Sequence, residues 1–569
     1  MQLGFKVVRG PGGRFKGNIV LDGDIPCPIT IDNIDPTFLA LPRVVVENRS
    51  MLGDGPQAHI SPDGSLCYLD RQSVHLDPMK PGNCMRIALG CARDTLNALL
   101  SQSQANQLDV AIEFPAYWGG DQIVSLLYPR EGACLLYQAH NKDEALGEYA
   151  IVADDQAAQD WGARRRCTMK PAGRAIVIRL KTDFSFPSPD LDISWPPTTM
   201  KDFLSWVYAL SPAVSASVLR QLVKVLLEDP SVCIALCDDR GSAVGVSLVM
   251  NGDRKSQLTR FKHSKKGALE SNAIKRLRTV LTSSRFMAEF SRVRVIDARP
   301  RTIYGRNRPG QSLAKSRIAL IGCGTIGSHA AEQLIKAGAG TGGRGELALF
   351  DGDVLYPANL GRHVLGVESL YRTKAEAMAD HLKSRASAPL TVRSAPHLRI
   401  EDIATLRRYD LVIDATGDPV FSTWLSHKTR SSLWGKVKNK KPYLLHAWIE
   451  GGGDAVRLLM DDGSAACYHC LRVDTDDPNA QQERFPVYRN GMAPSDTPYI
   501  YRCGESFVPY SSGASAIAGG LVLNMALMAL DPNADRRAFW HVPLTSASVN
   551  AFWKNATRKK GCACCELPY

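Results

Sequence analysis

The stretch RIALIGCGTIGSHAAEQLIKAGAG, residues 317–340, decides how the rest of the chain is read. RIALIG is a short apolar run that ends on glycine, the pattern of a buried parallel strand. GCGTIG follows at once and sets Gly322, Gly324 and Gly327 at GxGxxG spacing. SHAAEQLIKAGAG then predicts a helix that stops at glycine. The glycines permit a tight turn and let backbone N–H groups approach a phosphate at the helix N-terminus. ELALFDGD, residues 346–353, predicts a second strand with Asp351 and Asp353 at its C-terminal end. An acid there holds a nucleotide ribose. Taken alone, this is the pattern of an NAD or FAD site.

The residues that follow point elsewhere. NLGRHVLG and the lysine after it supply Asn359, Arg362, His363 and Lys374, and YDLVIDATGDP ends a third predicted strand at Asp414. An oxidoreductase has no need of this polar set, whereas a site that cleaves a triphosphate does. Arg and Lys neutralise phosphate oxygens, and a carboxylate can hold Mg²⁺. The combination resembles the ubiquitin-activating (E1) and ThiF/MoeB adenylyltransferase family. That resemblance implies an α/β, Rossmann-like ATP-binding domain over residues 306–569, working as a homodimer. Arg306, ahead of the first strand, is a candidate to reach a nucleotide across that dimer, and a surface charge is the equal alternative.

At 569 residues the chain is too long for one core. Its 44% apolar content is ordinary for a globular protein. LVLNMALMAL, residues 521–530, is too short an apolar run to span a bilayer and reads as a buried helix. MQLGFKVVRGPGG lacks the apolar core of a signal peptide, so a soluble cytoplasmic protein is expected, without a membrane partner. Fifteen cysteines, many inside apolar strands, suit a reducing compartment with metal or catalytic thiols. The net charge of +12 is spread along the chain, with a denser zone at Arg254, Lys255, Arg260, Lys262, Lys265 and Lys266. That zone reads as a solvated loop rather than a nucleic-acid site, and an acidic protein partner would also suit it.

Residues 1–139 read as strands, then HISPDGSLCYLD at 59–70, then a helix over Met85–Leu100. Strands, a histidine, a turn, a cysteine and a helix resemble the ubiquitin-conjugating (E2) fold, an α+β domain. That family carries a His-Pro-Asn box and a Gly-x-x-Cys ending on its active cysteine. His59 and GSLC match, which puts Cys67 in the catalytic place. Ile60 and Ser61 stand where the family has Pro and Asn, so the usual oxyanion support is missing. Glu113, Tyr117 and Trp118 in EFPAYWGG read as an aromatic packing cluster. Residues 140–305 show strands and helices, with no catalytic motif, and are assigned to an intervening α/β linker domain.

Two CxxC pairs, Cys467/Cys470 and Cys562/Cys565, form a four-thiolate set suited to structural Zn²⁺, with Cys564 as a spare. Cys503 falls outside both pairs, before a small-residue helix start that would favour its thiolate. In the resembling family an active cysteine sits in such a segment.

An E2-like domain joined to an E1-like domain resembles the conjugation enzymes of bacterial CBASS anti-phage operons. The resemblance implies that the C-terminus of a cGAS/DncV-like nucleotidyltransferase is adenylated with MgATP. It would pass to Cys503, then to Cys67, and finally to an acceptor amine. Asp414 would help hold Mg²⁺, Asp351 the ribose, and Arg362 and Lys374 the phosphates. Three other readings stay open: a ThiF/MoeB-type sulfur-carrier adenylyltransferase, a nicotinamide oxidoreductase, and a non-catalytic zinc scaffold. A persulfide product, bound NAD, or absent ATP turnover would mark each in turn.

Overall fold

A computed structural model describes the chain except residues 1–4, 9–12, 54–56, 62, 102–103, 128–129, 143, 189, 192, 239, 252–257, 260–270, 284, 308–309, 397, 399–400, 434–441, 474–482, 490–498, 503–504, 536 and 567–569. The basic zone at 254–266 and Cys503 therefore lie outside the described residues. Two compact units are present, Met1–Ala298 and Arg299–Tyr569.

The first unit opens with an antiparallel sheet of β1 (Lys6–Val8), β2 (Arg14–Leu21), β3 (Ile25–Asp32) and β4 (Arg43–Val46), in that order. Ile29, Ile31, Val44 and Val46 point to one face, where they meet Ala88, Ala92 and Leu96 of the helix Pro81–Leu100. Pro81 supplies the fixed φ that suits a first helical turn.

After the helix Gln104–Trp118 the chain forms a closed seven-stranded barrel. Its strands are β5 (Gln122–Leu126), β6 (Gly132–Asn141), β7 (Glu144–Val152), β8 (Thr168–Arg179), β9 (Ser231–Cys237), β10 (Ala243–Met250) and β11 (Met287–Asp297). β5 lies parallel to β7 on one side and to β11 on the other, which closes the ring and leaves no edge. A domain boundary at 139/140 would cut β6, which pairs with both β7 and β8. The expected linker is thus a barrel that begins before residue 139. The later boundary also shifts, because the helix Pro300–Gly305 belongs to the second unit.

The second unit is built on one eight-stranded sheet. Its strands are β12 (Arg317–Ile321), β13 (Glu346–Phe350), β14 (Val392–Ala395), β15 (Leu411–Asp414), β16 (Tyr443–Glu450), β17 (Ala455–Asp461), β20 (Phe539–Pro543) and β21 (Phe552–Lys554). A separate hairpin pairs β18 (Tyr499–Arg502) with β19 (Glu505–Phe507). The main sheet runs β14-β13-β12-β15-β16-β17-β20-β21, with the first five strands parallel. The connection from β12 goes to β13 on one side, while β15 pairs on the other, so the crevice opens at the C-terminal ends of β12 and β15. The helix Ser512–Leu530 is long and apolar enough to cross a membrane by composition. Here Ala518, Val522, Met525 and Ala526 are buried in the core of this unit.

Candidate active site

The GxGxxG glycines do separate jobs. Gly322 has φ +87°, and a side chain there would strike the backbone of Ala415 and Thr416. A Cβ on Gly327 would collide with the Gly322 carbonyl, so this glycine lets the helix Thr325–Lys336 sit tight on its strand. Around Gly324 the space is open. Beside it lies a cavity of about 840 Å³, lined among others by Gly322, Gly324, Asp351, Asp353, Asn359 and Lys374. Six of the expected residues thus share one cavity, of a size that holds a nucleotide-sized ligand.

Their polar atoms are held in place. Asp351 accepts from the backbone N–H of Cys323 at 2.7 Å and of Asp353 at 2.8 Å. Burial nevertheless pushes its carboxyl above the ordinary value. Lys374 Nζ reaches Asp353 at 3.0 Å and is itself buried. Asn359 Oδ1 caps the N–H of Tyr356 at 2.9 Å, which fixes its amide. His363 is a brace: Nε2 donates to the Cys323 carbonyl at 2.7 Å, and Nδ1 accepts from the Leu365 N–H at 3.0 Å.

Two expectations change. Asp414, proposed from sequence for Mg²⁺, does not line the cavity. It is 2% exposed, and its carboxylate accepts from His446 Nδ1 at 2.7 Å, Ser422 Oγ at 2.5 Å and Thr416 Oγ1 at 2.7 Å. Burial alone would raise its pKa, but these three partners outweigh that and hold it below the ordinary value. The cause is register: Asp414 pairs with His446 across the β15–β16 ladder, so its side chain turns toward its neighbour strand. Arg362 also stands outside the lining; its guanidinium stacks 4.4 Å from the ring centroid of Tyr510, and Tyr510 lines the cavity. Arg306, the candidate to reach a nucleotide across a dimer, is exposed and lies outside the lining of this chain's own cavity.

The sequence reading missed Asp418. It lines the cavity and caps the helix Pro419–Lys428, accepting from the N–H of Val420 at 2.8 Å and of Phe421 at 3.2 Å. The signal was present: Asp followed by Pro is a helix start, and a cap at the end of a parallel strand faces the crevice.

The four cysteines of the two CxxC pairs converge. Sγ–Sγ separations are 3.7 Å for Cys467–Cys470, 3.6 Å for Cys467–Cys562 and 3.4 Å for Cys470–Cys565. Tetrahedral thiolates at 2.3 Å from zinc stand roughly 3.8 Å apart. Cys564 is buried beside them and is not one of the four converging donors. The Lys559 N–H points at Cys470 Sγ from 3.3 Å, the kind of outer contact that supports a thiolate ligand.

In the first unit the turn at Asp63–Gly64 folds residues 59–67 into a hairpin. The Cys67 N–H donates to the His59 carbonyl at 2.7 Å, and Ile60 bridges Leu66. Cys67 is exposed. His59, Cys67 and Glu113 bring their side-chain donor atoms within 4.8 Å of one another. Tyr117 donates its hydroxyl to Glu113 at 2.6 Å and accepts the His59 N–H at 2.5 Å. Of EFPAYWGG, then, Trp118 is core as expected, packing on Trp206, while Glu113 and Tyr117 belong to the cysteine site.

A glycine-cradled cavity at the switch point of a parallel sheet, with Lys374 and carboxylates facing into it, defines a nucleotide-binding fold of the ThiF type. The ThiF family model matches residues 303–564. The ATP-dependent ubiquitin transferase-like protein Cap2 of Pseudomonas aeruginosa is 31% identical over 89% of this chain and 85% of its own length. The Cap2 of Escherichia coli is 27% identical over 90% and 86%. Escherichia coli MccB, a solved structure, is 15% identical over 55% of this chain and 79% of its own, with TM-score 0.33. The chain belongs to the ATP-dependent ubiquitin transferase-like Cap2 family, and with it to the ATP-dependent conjugating enzymes.

Proposed function

We propose that the second unit adenylates the C-terminus of a protein with ATP and that the acyl group reaches an amine through cysteine thioesters. The observation that carries this reading is the shared cavity of Gly322, Gly324, Asp351, Asp353, Lys374 and Asp418, in one chain with an exposed Cys67 paired to His59. The carboxylate of the incoming C-terminus attacks the α-phosphate of ATP. A P–O bond forms, the bond to pyrophosphate breaks, and an acyl adenylate results. Lys374 neutralises charge on the phosphates and Asp351 accepts from the ribose. Asp353 and Asp418 are the carboxylates that would hold Mg²⁺, which screens the polyphosphate when bound. A thiolate at Cys503 then displaces AMP. Cys67 takes the acyl group by thiol exchange, and an amine displaces Cys67 as the amide forms.

The four-thiolate cluster is proposed to hold structural zinc, because its donors fill a tetrahedron and leave no open position. By resemblance, residues 1–139 work as the E2-like domain, the second unit as a homodimer, and the carrier is a cGAS/DncV-like nucleotidyltransferase in CBASS defence. The free thiols suit the reducing cytoplasm as its compartment. ATP–pyrophosphate exchange tests the reading. Exchange that depends on a carrier with an exposed C-terminal tail is expected; no exchange with any nucleotidyltransferase encoded beside the gene would overturn it.

A further inference from the structure

The hairpin that carries Cys67 lies against one face of the helix Gln104–Trp118. Asp109, Glu113 and Tyr117 recur there at helical spacing and all engage His59. His59 Nε2 meets Asp109 Oδ2 at 3.2 Å, and Nδ1 meets Glu113 Oε1 at 3.3 Å. Ionised carboxylates only accept, so one carboxylate at each ring nitrogen favours the doubly protonated imidazolium. Its backbone is held as firmly. His59 has φ +58°, a conformation a non-glycine residue adopts at a cost, pinned by the N–H bond to Tyr117 and the carbonyl bond from Cys67.

We propose that His59 is a catalytic residue: a fixed cation beside Cys67 that stabilises negative charge at the sulfur. The proposal rests on Cys67 being the acyl-carrying cysteine. In acyl uptake the Cys67 thiolate forms a C–S bond to the donor carbonyl, and the donor thiolate leaves with the electron pair of the old C–S bond. In amide formation the amine nitrogen forms the C–N bond and gives up a proton to solvent. Cys67 leaves as thiolate beside His59, which stabilises it at both moments. The groups that face the imidazole are Cys67 from the hairpin and Asp109, Glu113 and Tyr117 from the helix. Cys67 most, then Glu113, with a smaller part from Asp109, push His59 up to about 10 against the opposing effect of burial.

The full-length chain, alkylated with iodoacetamide and mapped at Cys67 by mass spectrometry, tests this between about pH 6 and pH 9. His59→Gln is expected to react at Cys67 on the order of tenfold more slowly than wild type at the acid end, with the gap closing as pH rises. Glu113→Gln, which keeps the hydrogen bond but removes one charge, should fall between the two; it decides the matter should His59→Gln not fold. Profiles of both variants that overlay wild type would overturn the proposal. The outcome separates from the conjugation reading. Loss of product in Cys67→Ala with unchanged profiles in the His59 and Glu113 variants would sink this inference alone. Slowed alkylation in those variants, with product still formed by Cys67→Ala, would sink Cys67 as the acyl carrier and with it the catalytic role of His59, leaving only the effect of its charge on the sulfur.

Discussion

The two cysteine-and-carboxylate regions of this molecule place their charges in opposite ways. Around Cys67 the ionisable groups gather at a half-exposed surface, where the Cys67 side chain and two bracketing carboxylates favour a charged His59. Around the nucleotide cavity the charges are sorted. Asp414 turns inward to His446 and Ser422, while Asp418, one turn of chain further on, faces the cavity. The difference shows that a carboxylate at the end of a strand is not functional by position alone. Its partners decide whether it holds the fold or a ligand.

Paired substitutions break or sharpen that contrast. Asp418→Asn should cut ATP–pyrophosphate exchange by about a hundredfold or more while leaving melting unchanged, since Asn caps a helix as well as Asp does. Asp414→Ala should instead cost about 3–5 kcal/mol of stability, because it strands His446 in a buried site. Equal melting of the two variants would undo the assignment.

Metal removal is the next effect in size. The protein should carry about one zinc per chain. A chelator, or Cys562→Ser, should lower the melting temperature of the second unit, because metal binding and folding are coupled there. A metal-free preparation with unchanged melting would contradict the site.

The smallest effects are in pH. His59 stands above its ordinary 6.5, at about 10, so its contribution is fully present below about 6.5 and is lost as pH rises through about 10. His541 is held down to about 4, first by burial and then by Arg457. The unfolded chain therefore binds the extra proton, and the second unit should lose stability as pH falls from about 6.5 toward 4. Denaturant titrations followed separately for the two units should show these opposite slopes. His59→Gln and His541→Gln should each flatten one of them.

Much of this was legible in the sequence, for identifiable reasons. The glycine spacing and the apolar run at 317–321 specify a strand, turn and helix locally, and the nucleotide cavity follows from them. His59 and Cys67 were legible because a turn at Asp63–Gly64 closes a short hairpin. The convergence of Cys467, Cys470, Cys562 and Cys565 was legible from spacing alone. Asp414 misled because a ladder register, not a motif, decides where its side chain points. Glu113 and Tyr117 were hidden by Phe114 and Trp118, whose aromatic packing on the opposite face dominates the same few residues. The barrel was illegible because its closure depends on β5 finding β11 far along the chain, a parallel pairing with no local signal.

The most direct test is a non-reducing gel of the full-length chain with MgATP and a carrier protein. A thiol-sensitive adduct on Cys67 is predicted in wild type. Cys67→Ser should give a thiol-resistant ester, and Cys67→Ala should give no amide product, with the carrier held on an upstream cysteine. Amide formed by Cys67→Ala at the wild-type rate would contradict the role of the N-terminal unit.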